Sequence, residues 1–92
     1  MKHINWNTEK SHALKEIRGI CFEDVIFHIE KGDMLDDYQH PNQQKYPGQR
    51  IMVVGINNYV YLVPYIENED ELFLKTIIPS RRATEKYLGE KQ

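Results

Sequence analysis

The stretch RIMVVGINNYVYLVPYI, residues 50–66, decides the fold of this 92-residue chain. Two runs rich in β-branched and aromatic residues, 50–56 and 59–66, flank the pair Asn57–Asn58. Asparagine tolerates the positive φ angles that a two-residue hairpin turn requires. The pattern therefore predicts two antiparallel strands joined directly at Asn57–Asn58.

This turn determines which side chains share a face of the sheet. It places Arg50 opposite Tyr65 and Val54 opposite Tyr61, and side chains two apart along a strand point to the same side. One side, called the tyrosine face below, carries Arg50, Met52, Val54, Ile56, Tyr59, Tyr61, Val63 and Tyr65. The other, called the aliphatic face, carries Ile51, Val53, Gly55, Val60, Leu62 and Pro64. We expect the helices to pack on the aliphatic face.

The tyrosine face allows two interpretations. With a turn at 67–71, the last strand places Phe73 beside Tyr65, Lys75 beside Val63 and Ile77 beside Tyr61. Cations and tyrosines on an open sheet face suit single-stranded nucleic acid, because phosphates meet the cations and bases stack on the rings. The alternative is a half-covered face with ordinary solvated Lys and Arg side chains.

Periodicity and helix-end signals predict the remaining elements. Apolar residues from Phe22 to Ile29 recur on one helical face, whereas the preceding helix has a weaker stripe and ends at Gly19. Pro64 cannot donate to a ladder and predicts a bulge or an unpaired position. In chain order we expect a helix from Asn7 or Thr8 to Gly19, helix 22–32, strands 33–39, 50–56, 59–66 and 72–78, and helix 80–89 with Ser80 at its N-cap.

This order predicts an α+β fold with two N-terminal helices, a four-stranded antiparallel sheet and a C-terminal helix. Residues 1–92 fit a single domain. The one cysteine, Cys21, excludes a disulfide within the chain, and no apolar run approaches the roughly 20 residues of a membrane span. We expect a cytoplasmic protein that does not engage a membrane.

The net charge of −2 is distributed unevenly. Residues 72–92 carry five Lys or Arg against two acidic residues, whereas the rest of the chain carries seven against twelve. Arg81 and Arg82 fall in the first turn of the last helix, where the macrodipole disfavours each cation by about 0.3–1 kcal/mol. An anion bound at that helix start, together with Arg50 and Lys75, would explain the placement. The alternative is that one arginine pairs with an acidic edge and the other is solvated.

No standard catalytic or nucleotide-binding motif is present. The four histidines, His3, His12, His28 and His40, lack a metal-binding spacing, so we predict neither a metal nor a cofactor. His28 is interpreted as a residue at the boundary of its helix's buried face. His40, beside Pro41, is either a solvated loop residue or an acid or base at neutral pH.

Three segments carry a resemblance to a known family: INWNTEK (4–10), RGICFED (18–24) and IIPSRRATEKY (77–87). Together they resemble the BrnT family of toxins from bacterial type II toxin–antitoxin systems. The resemblance implies a RelE-like ribonuclease that cleaves RNA and blocks translation. It also implies a cognate antitoxin, encoded nearby, that covers the active face and can form a higher-order complex with the toxin.

Carried over by position, the family's paired arginines match Arg81 and Arg82, and its arginine opening the second strand matches Arg50. The family's Lys-His before the glycine is replaced here by Ile17–Arg18. A metal-independent cleavage by the RNA 2′-OH would then depend on these arginines to stabilise the charge on phosphorus. Further candidates for proton transfer or substrate positioning are Lys75, Tyr61, Tyr65, Lys45 and His40.

A non-catalytic module with the same fold, binding protein or RNA, is the second hypothesis. The missing histidine and the negative net charge favour it.

Overall fold

The central hairpin forms as the asparagine pair predicts. In the computed structural model, which describes residues 2–89, Asn57 and Asn58 have φ angles of 54° and 67°. Positive φ at both central positions is the geometry of a type I′ turn, whose twist matches that of the flanking strands. The predicted register is confirmed in the pairs Ile56–Tyr59, Val54–Tyr61, Met52–Val63 and Arg50–Tyr65.

Residues 2–89 form three helices and one six-stranded sheet. In chain order the elements are β1 (His3–Trp6), α1 (Thr8–Arg18), α2 (Phe22–Glu30), β2 (Met34–Gln39), β3 (Gln49–Ile56), β4 (Tyr59–Glu67), β5 (Glu71–Leu74), β6 (Ile78–Pro79) and α3 (Arg81–Leu88). The sheet order is β1-β5-β4-β3-β2, and β6 pairs with β4. The fold is therefore mixed α/β, and none of these three helices is long and apolar enough to cross a membrane.

The prediction of a four-stranded antiparallel sheet preceded by two helices was wrong at the N-terminus. The chain begins with β1, which pairs in parallel with β5, from His3 beside Glu71 to Trp6 beside Leu74. Ile4 and Trp6 pack against the core, whereas His3 and Asn5 are exposed. Four residues contain too short an alternation to be recognised as a strand, and their partner lies at the other end of the sequence.

The helix ends follow the predicted signals. Asn7 Oδ1 accepts a hydrogen bond from Lys10 N at 2.8 Å, and Gly19 ends α1 with a φ of 75°. Ser80 Oγ accepts from Ala83 N at 3.0 Å and so caps α3. Each cap satisfies a backbone N–H that the helix itself leaves without a partner.

The predicted last strand, 72–78, is divided into β5 and β6. Asn68 Oδ1 accepts hydrogen bonds from the N atoms of Asp70 and Glu71, which tightens the preceding turn. Leu74, and not Phe73, therefore lies opposite Tyr65. A shift of one residue transfers every side chain of a strand to the other face, so the predicted pairing of this strand was wrong.

Pro64 lies beside the break between β5 and β6. Its carbonyl accepts a hydrogen bond from Lys75 N at 2.8 Å, after which the chain leaves β4 and returns to it at Ile78, opposite Leu62. A proline needs no donor partner at such a break. The prediction that Pro64 marks an irregular position is confirmed.

The two faces of the sheet are covered in a different way from the one expected. Helices α1 and α2 pack on the tyrosine face, which holds the larger core: Leu14, Ile20, Phe22, Val25, Met52, Val54, Ile56, Val63, Tyr65, Leu74 and Ile77. Only α3 packs on the aliphatic face, where Ala83 meets Val53 and Val60. The tyrosine face is therefore no open surface for nucleic acid. Two features let this face be covered by helices. The register shift adds Leu74 to its apolar side chains, and its polar side chains Arg50 and Tyr65 form hydrogen bonds with Asp37.

The positive φ of Asn58 provides a test of the turn. Replacing Asn58 by alanine should lower the free energy of unfolding by about 1 kcal/mol, because a side chain without a local polar group is disfavoured in the left-handed region. Asn58→Gly, the matched control, should leave the stability unchanged or raise it. Chemical denaturation of the two variants measures both values, and equal destabilisation would contradict this account of the turn.

Candidate functional site

Arg50 belongs to a polar cluster at one end of the tyrosine face. Its Nε lies 3.2 Å from both Asp37 Oδ1 and Tyr65 Oη, and Tyr65 Oη donates to Asp37 Oδ2 at 2.8 Å. Tyr65 is only 3% exposed, so its ring belongs to the core and its hydroxyl group is satisfied from the edge strand β2. The cluster closes the end of the core with a neutralised arginine.

Protonation in this cluster also favours a structural role. Burial, followed by the hydrogen bond to the Asp37 carboxylate, raises the pKa of Tyr65 to about 12. The hydrogen bond to Tyr65 and the charge of Asp37 raise the pKa of Arg50. A buried phenol that stays protonated cannot accept a proton from a substrate, so this geometry does not support Tyr65 as a catalytic base.

Arg81 and Arg82 have a different environment. Both are exposed in the first turn of α3, and within residues 2–89 neither forms an ion pair. Arg82 lines an open groove of about 420 Å³ between α3 and β2. The groove is lined by Asp36, Tyr38, Leu62, Ser80, Arg82, Ala83, Lys86 and Tyr87. We call it the α3 groove.

The ring of Tyr87 is fixed in the α3 groove. Its Oη donates to Asp36 Oδ2 at 2.6 Å, and this hydrogen bond raises the pKa of Tyr87 to about 12 and lowers that of Asp36. Asp36 points to the aliphatic face, whereas its neighbour Asp37 reaches Arg50 on the other side. Neighbouring residues on a strand point to opposite faces, so the two carboxylates diverge, and one wall of the groove is held by a charge-assisted bond.

The structure does not bring Arg50 together with Arg81 and Arg82. Arg50 lies on the tyrosine face, whereas α3 crosses the aliphatic face near the hairpin, where Thr84 Oγ1 accepts from Val60 N at 2.9 Å. The predicted convergence of these three arginines was wrong, because the strand register puts them on opposite sides of the sheet.

Lys75, Lys45 and His40 also lie apart from Arg81 and Arg82. Lys75 is exposed in the break after β5, with its Nζ 5.7 Å from the Phe73 ring centroid, so the expectation that it shares a face with Arg50 was wrong. Lys45 Nζ lies 5.4 Å from the ring centroid of Tyr46 in the loop between β2 and β3. In the same loop, His40 Nδ1 accepts from Asn42 N at 3.0 Å.

Tyr61 is the predicted candidate that lies close to the start of α3. It is half-buried on the tyrosine face and pairs with Pro79, two residues before Arg81. It also lines a small cavity of about 170 Å³ that contains His28. Because this cavity lies between α1, α2 and the β3–β4 hairpin, we call it the hairpin cavity.

The sequence pattern did not single out His28 as a functional residue. Its Nδ1 lies 2.8 Å from Asp33 Oδ2, and its side chain is 15% exposed. Two residues after α2 ends at Glu30, Gly32 has a φ of 94° and turns the chain back toward His28. Asp33 follows directly. A histidine five residues before an aspartate, with a helix-ending glycine between them, is the signal that was available in the sequence.

Lys15 and Asp24 complete the charged lining of the hairpin cavity. Lys15 Nζ lies 3.0 Å from Asp24 Oδ2, which raises the pKa of Lys15. Burial alone would raise the pKa of Asp24, but hydrogen bonds from Cys21 N and Lys15 outweigh it, and the pKa of Asp24 falls. Among residues 2–89, no three His, Cys, Asp or Glu side chains are placed to hold a metal ion.

The Tyr65 hydroxyl group can be tested through the pH dependence of stability. Tyr65→Phe should lower the free energy of unfolding at pH 7 by about 1.5–3 kcal/mol, the usual value of a hydrogen bond to a charged group. Because the folded-state pKa is raised to about 12, this contribution is complete below the unfolded pKa of about 10 and is lost as the pH rises toward 12. The wild type and the variant should therefore converge in stability at alkaline pH.

Tyr59→Phe is the matched control, since within residues 2–89 no hydrogen bond involves the hydroxyl group of Tyr59. Denaturant titrations at several pH values measure the difference. A constant gap between wild type and Tyr65→Phe from pH 7 to pH 12 would contradict the assigned hydrogen bond.

Comparison with known proteins identifies no relative of this chain. No family model, curated protein or solved structure matches this chain.

Proposed function

We propose that this protein is the toxin of a type II toxin–antitoxin system, a cytoplasmic RelE-like endoribonuclease that cleaves RNA without a metal and so inhibits translation. The observation that carries the proposal is the start of α3. There Arg81 and Arg82 stand without an ion-pair partner among residues 2–89, beside a groove that adds Lys86 and two tyrosines.

The cost of this arrangement favours a ligand. Cations in the first helical turn are disfavoured by the macrodipole, and no carboxylate of residues 2–89 forms an ion pair that offsets the charge of Arg81 or Arg82. A bound anion removes the repulsion and meets the free N–H groups of the helix start. A phosphate of an RNA backbone is such an anion.

The α3 groove has the chemistry of a surface for single strands. Tyr38 and Tyr87 line the groove together with Arg82 and Lys86, and Lys86 Nζ lies 5.4 Å from the Tyr87 ring centroid. Proteins bind single strands with such a combination of aromatic rings for the bases and cations for the phosphates. Stacking tolerates any base, so this surface favours binding of an unpaired strand over readout of a sequence. The hydrogen bond from Tyr87 to Asp36 fixes one ring before the RNA arrives.

In the proposed reaction the 2′-oxygen of the RNA attacks the adjacent phosphorus. A base takes the 2′-OH proton, the bond from phosphorus to the 5′-oxygen breaks, and an acid protonates that oxygen. The products are a 2′,3′-cyclic phosphate and a 5′-hydroxyl end. Arg81 and Arg82 stabilise the additional negative charge on the phosphoryl oxygens, whereas Arg50 supports the sheet through Asp37.

The same cationic surface suits the antitoxin. An acidic antitoxin segment bound to Arg81, Arg82 and Lys86 occupies the positions of the RNA phosphates. Complementary charge speeds such an encounter and makes it sensitive to salt. RNA and antitoxin then exclude each other, and a complex of several copies of both proteins is compatible with this surface.

A non-catalytic RNA- or protein-binding module is the second candidate function. One observation favours it: Arg50 and Tyr65 lie on the face of the sheet that α3 does not cover. His40 and Lys45 lie in the loop between β2 and β3 and do not line the α3 groove. Binding of single-stranded RNA by clean protein without any cleavage supports this candidate and contradicts the nuclease.

The double variant Arg81→Ala/Arg82→Ala tests the proposed function. Induced expression of the wild type should arrest growth and protein synthesis, and the double variant should relieve both effects. In vitro, the loss of two phosphate contacts should reduce the salt dependence of RNA binding by about 1.4 in the slope of log K against log salt, at about 0.7 per contact on a single strand.

Lys2→Ala/Lys10→Ala is the matched control, because it removes two positive charges, before β1 and on α1, that line neither the α3 groove nor the hairpin cavity. It should arrest growth like the wild type and keep the salt slope. The assigned site is wrong if the arginine variant remains as toxic as this control at equal expression.

A further inference from the structure

The hairpin cavity combines four ionisable side chains in a small volume. It measures about 170 Å³ and is lined by Lys15, Gly19, Ile20, Asp24, His28, Ile56, Asn57 and Tyr61. The lysine comes from α1, the aspartate and the histidine from α2, and the tyrosine from β4. A concave site with convergent acids and bases is where proton transfer is to be sought.

His28 is oriented for proton transfer. Asp33 Oδ2, 2.8 Å from Nδ1, favours the tautomer that carries the proton on Nδ1. Within residues 2–89, no hydrogen bond involves Nε2, which leaves that nitrogen as the acceptor. A carboxylate that holds one ring nitrogen and leaves the other free is the arrangement that makes histidine a directed base.

Two other lining groups complement His28. No hydrogen bond within residues 2–89 involves the hydroxyl group of Tyr61, so this group is available as a donor. Lys15 stays charged through its ion pair with Asp24, which raises the pKa of Lys15. The cavity thus offers a proton acceptor and a hydroxyl donor, beside a lysine that is paired with Asp24.

The chain connects this cavity to the start of α3. Tyr61 pairs with Pro79 on β6, and α3 begins two residues later at Arg81. From the other side, Arg18 donates a hydrogen bond to the carbonyl of Ile77, next to Gly19 of the cavity wall. Because α3 packs on the aliphatic face and the cavity lies on the tyrosine face, a strand of RNA held by Arg81 and Arg82 reaches the cavity by passing over β6.

We propose that the hairpin cavity is the acid–base site of RNA cleavage; this inference rests on the proposed function. His28 Nε2 takes the proton of the 2′-OH, the 2′-oxygen forms its bond to phosphorus, and the bond to the 5′-oxygen breaks. Tyr61 Oη donates its proton to the departing 5′-oxygen, and Arg81 and Arg82 stabilise the phosphoryl charge, as in the proposed function. Exchange with water then returns the proton from His28 to Tyr61.

The pH dependence of this reaction is influenced by the ionisable groups around His28. Those groups are Lys15 of α1, Asp24 of the same helix, Lys31 and Asp33 after the helix, and Tyr61 of β4. The hairpin contributes the uncharged Asn57 and Asn58, and α3 contributes Leu88. A general base accepts a proton only in its unprotonated form, so the pH–rate profile should have an acidic limb.

Cleavage of a short single-stranded RNA by the full chain, measured over a range of pH, tests the inference. His28→Gln should reduce the rate by about 100- to 10,000-fold, as expected for loss of a general base, and remove the acidic limb of the pH–rate profile. The matched control is His12→Gln, which changes an exposed histidine on α1 and should leave rate and profile unchanged. Imidazole should restore cleavage to His28→Ala if the ring acts as a base.

RNA affinity and thermal stability separate catalysis from structure. The inference predicts that His28→Gln binds RNA and unfolds like the His12→Gln control. An unchanged rate and pH profile in His28→Gln, or a loss of rate matched by an equal loss of affinity, would overturn the inference and leave the proposed nuclease intact. If the wild type binds RNA but does not cleave it at any pH, both proposals are overturned.

Discussion

The whole structure depends on the turn at Asn57–Asn58. Two consecutive residues with positive φ force β3 and β4 into direct pairing, with one register and no freedom to slip. From that register it follows that Val54 and Val63 lie under α1 and α2, whereas Val53 and Val60 lie under α3. A slip of one residue would expose both cores, because every side chain of a strand would exchange faces.

The contacts divide the arginines into two kinds. Arg50 and Arg18 have local acceptors, an Asp37 carboxylate and the Ile77 carbonyl respectively. These two arginines connect neighbouring elements of the fold. Arg81 and Arg82 are exposed and form no ion pair within residues 2–89, at a helix end that disfavours them. Charge with a structural partner stabilises the fold, whereas charge without one attracts a ligand.

Local signals in the sequence were sufficient for part of the fold. The Asn57–Asn58 turn, the cap at Ser80 and the end of α1 at Gly19 depend on residues within a few positions of one another, and all three were predicted correctly. The parallel pairing of β1 with β5 was missed because its two partners are almost seventy residues apart. A four-residue strand contains no sequence pattern that identifies a partner so far away.

The candidate site was predictable to a similar degree. The exposed arginines of α3 followed from a proline, a capping serine and helical periodicity, which are all local. Their separation from Arg50 depended on which face of the sheet α3 covers, and no local signal in the sequence specified that face. The contact between His28 and Asp33 required the chain reversal at Gly32, whose geometry the sequence pattern did not specify.

The parallel pairing of β1 with β5 has a consequence for the nascent chain. Strand β1 is synthesised long before its partner β5, since His3 pairs with Glu71 and Trp6 with Leu74. Domains generally fold as units during synthesis, and pairing between distant segments has to bring together the ends of a long loop. The sheet is therefore completed only after β5 and β6 have been made, and the arginines of α3 emerge later still. For the toxin proposed above, this order of synthesis would keep the protein inactive on the ribosome that is making it.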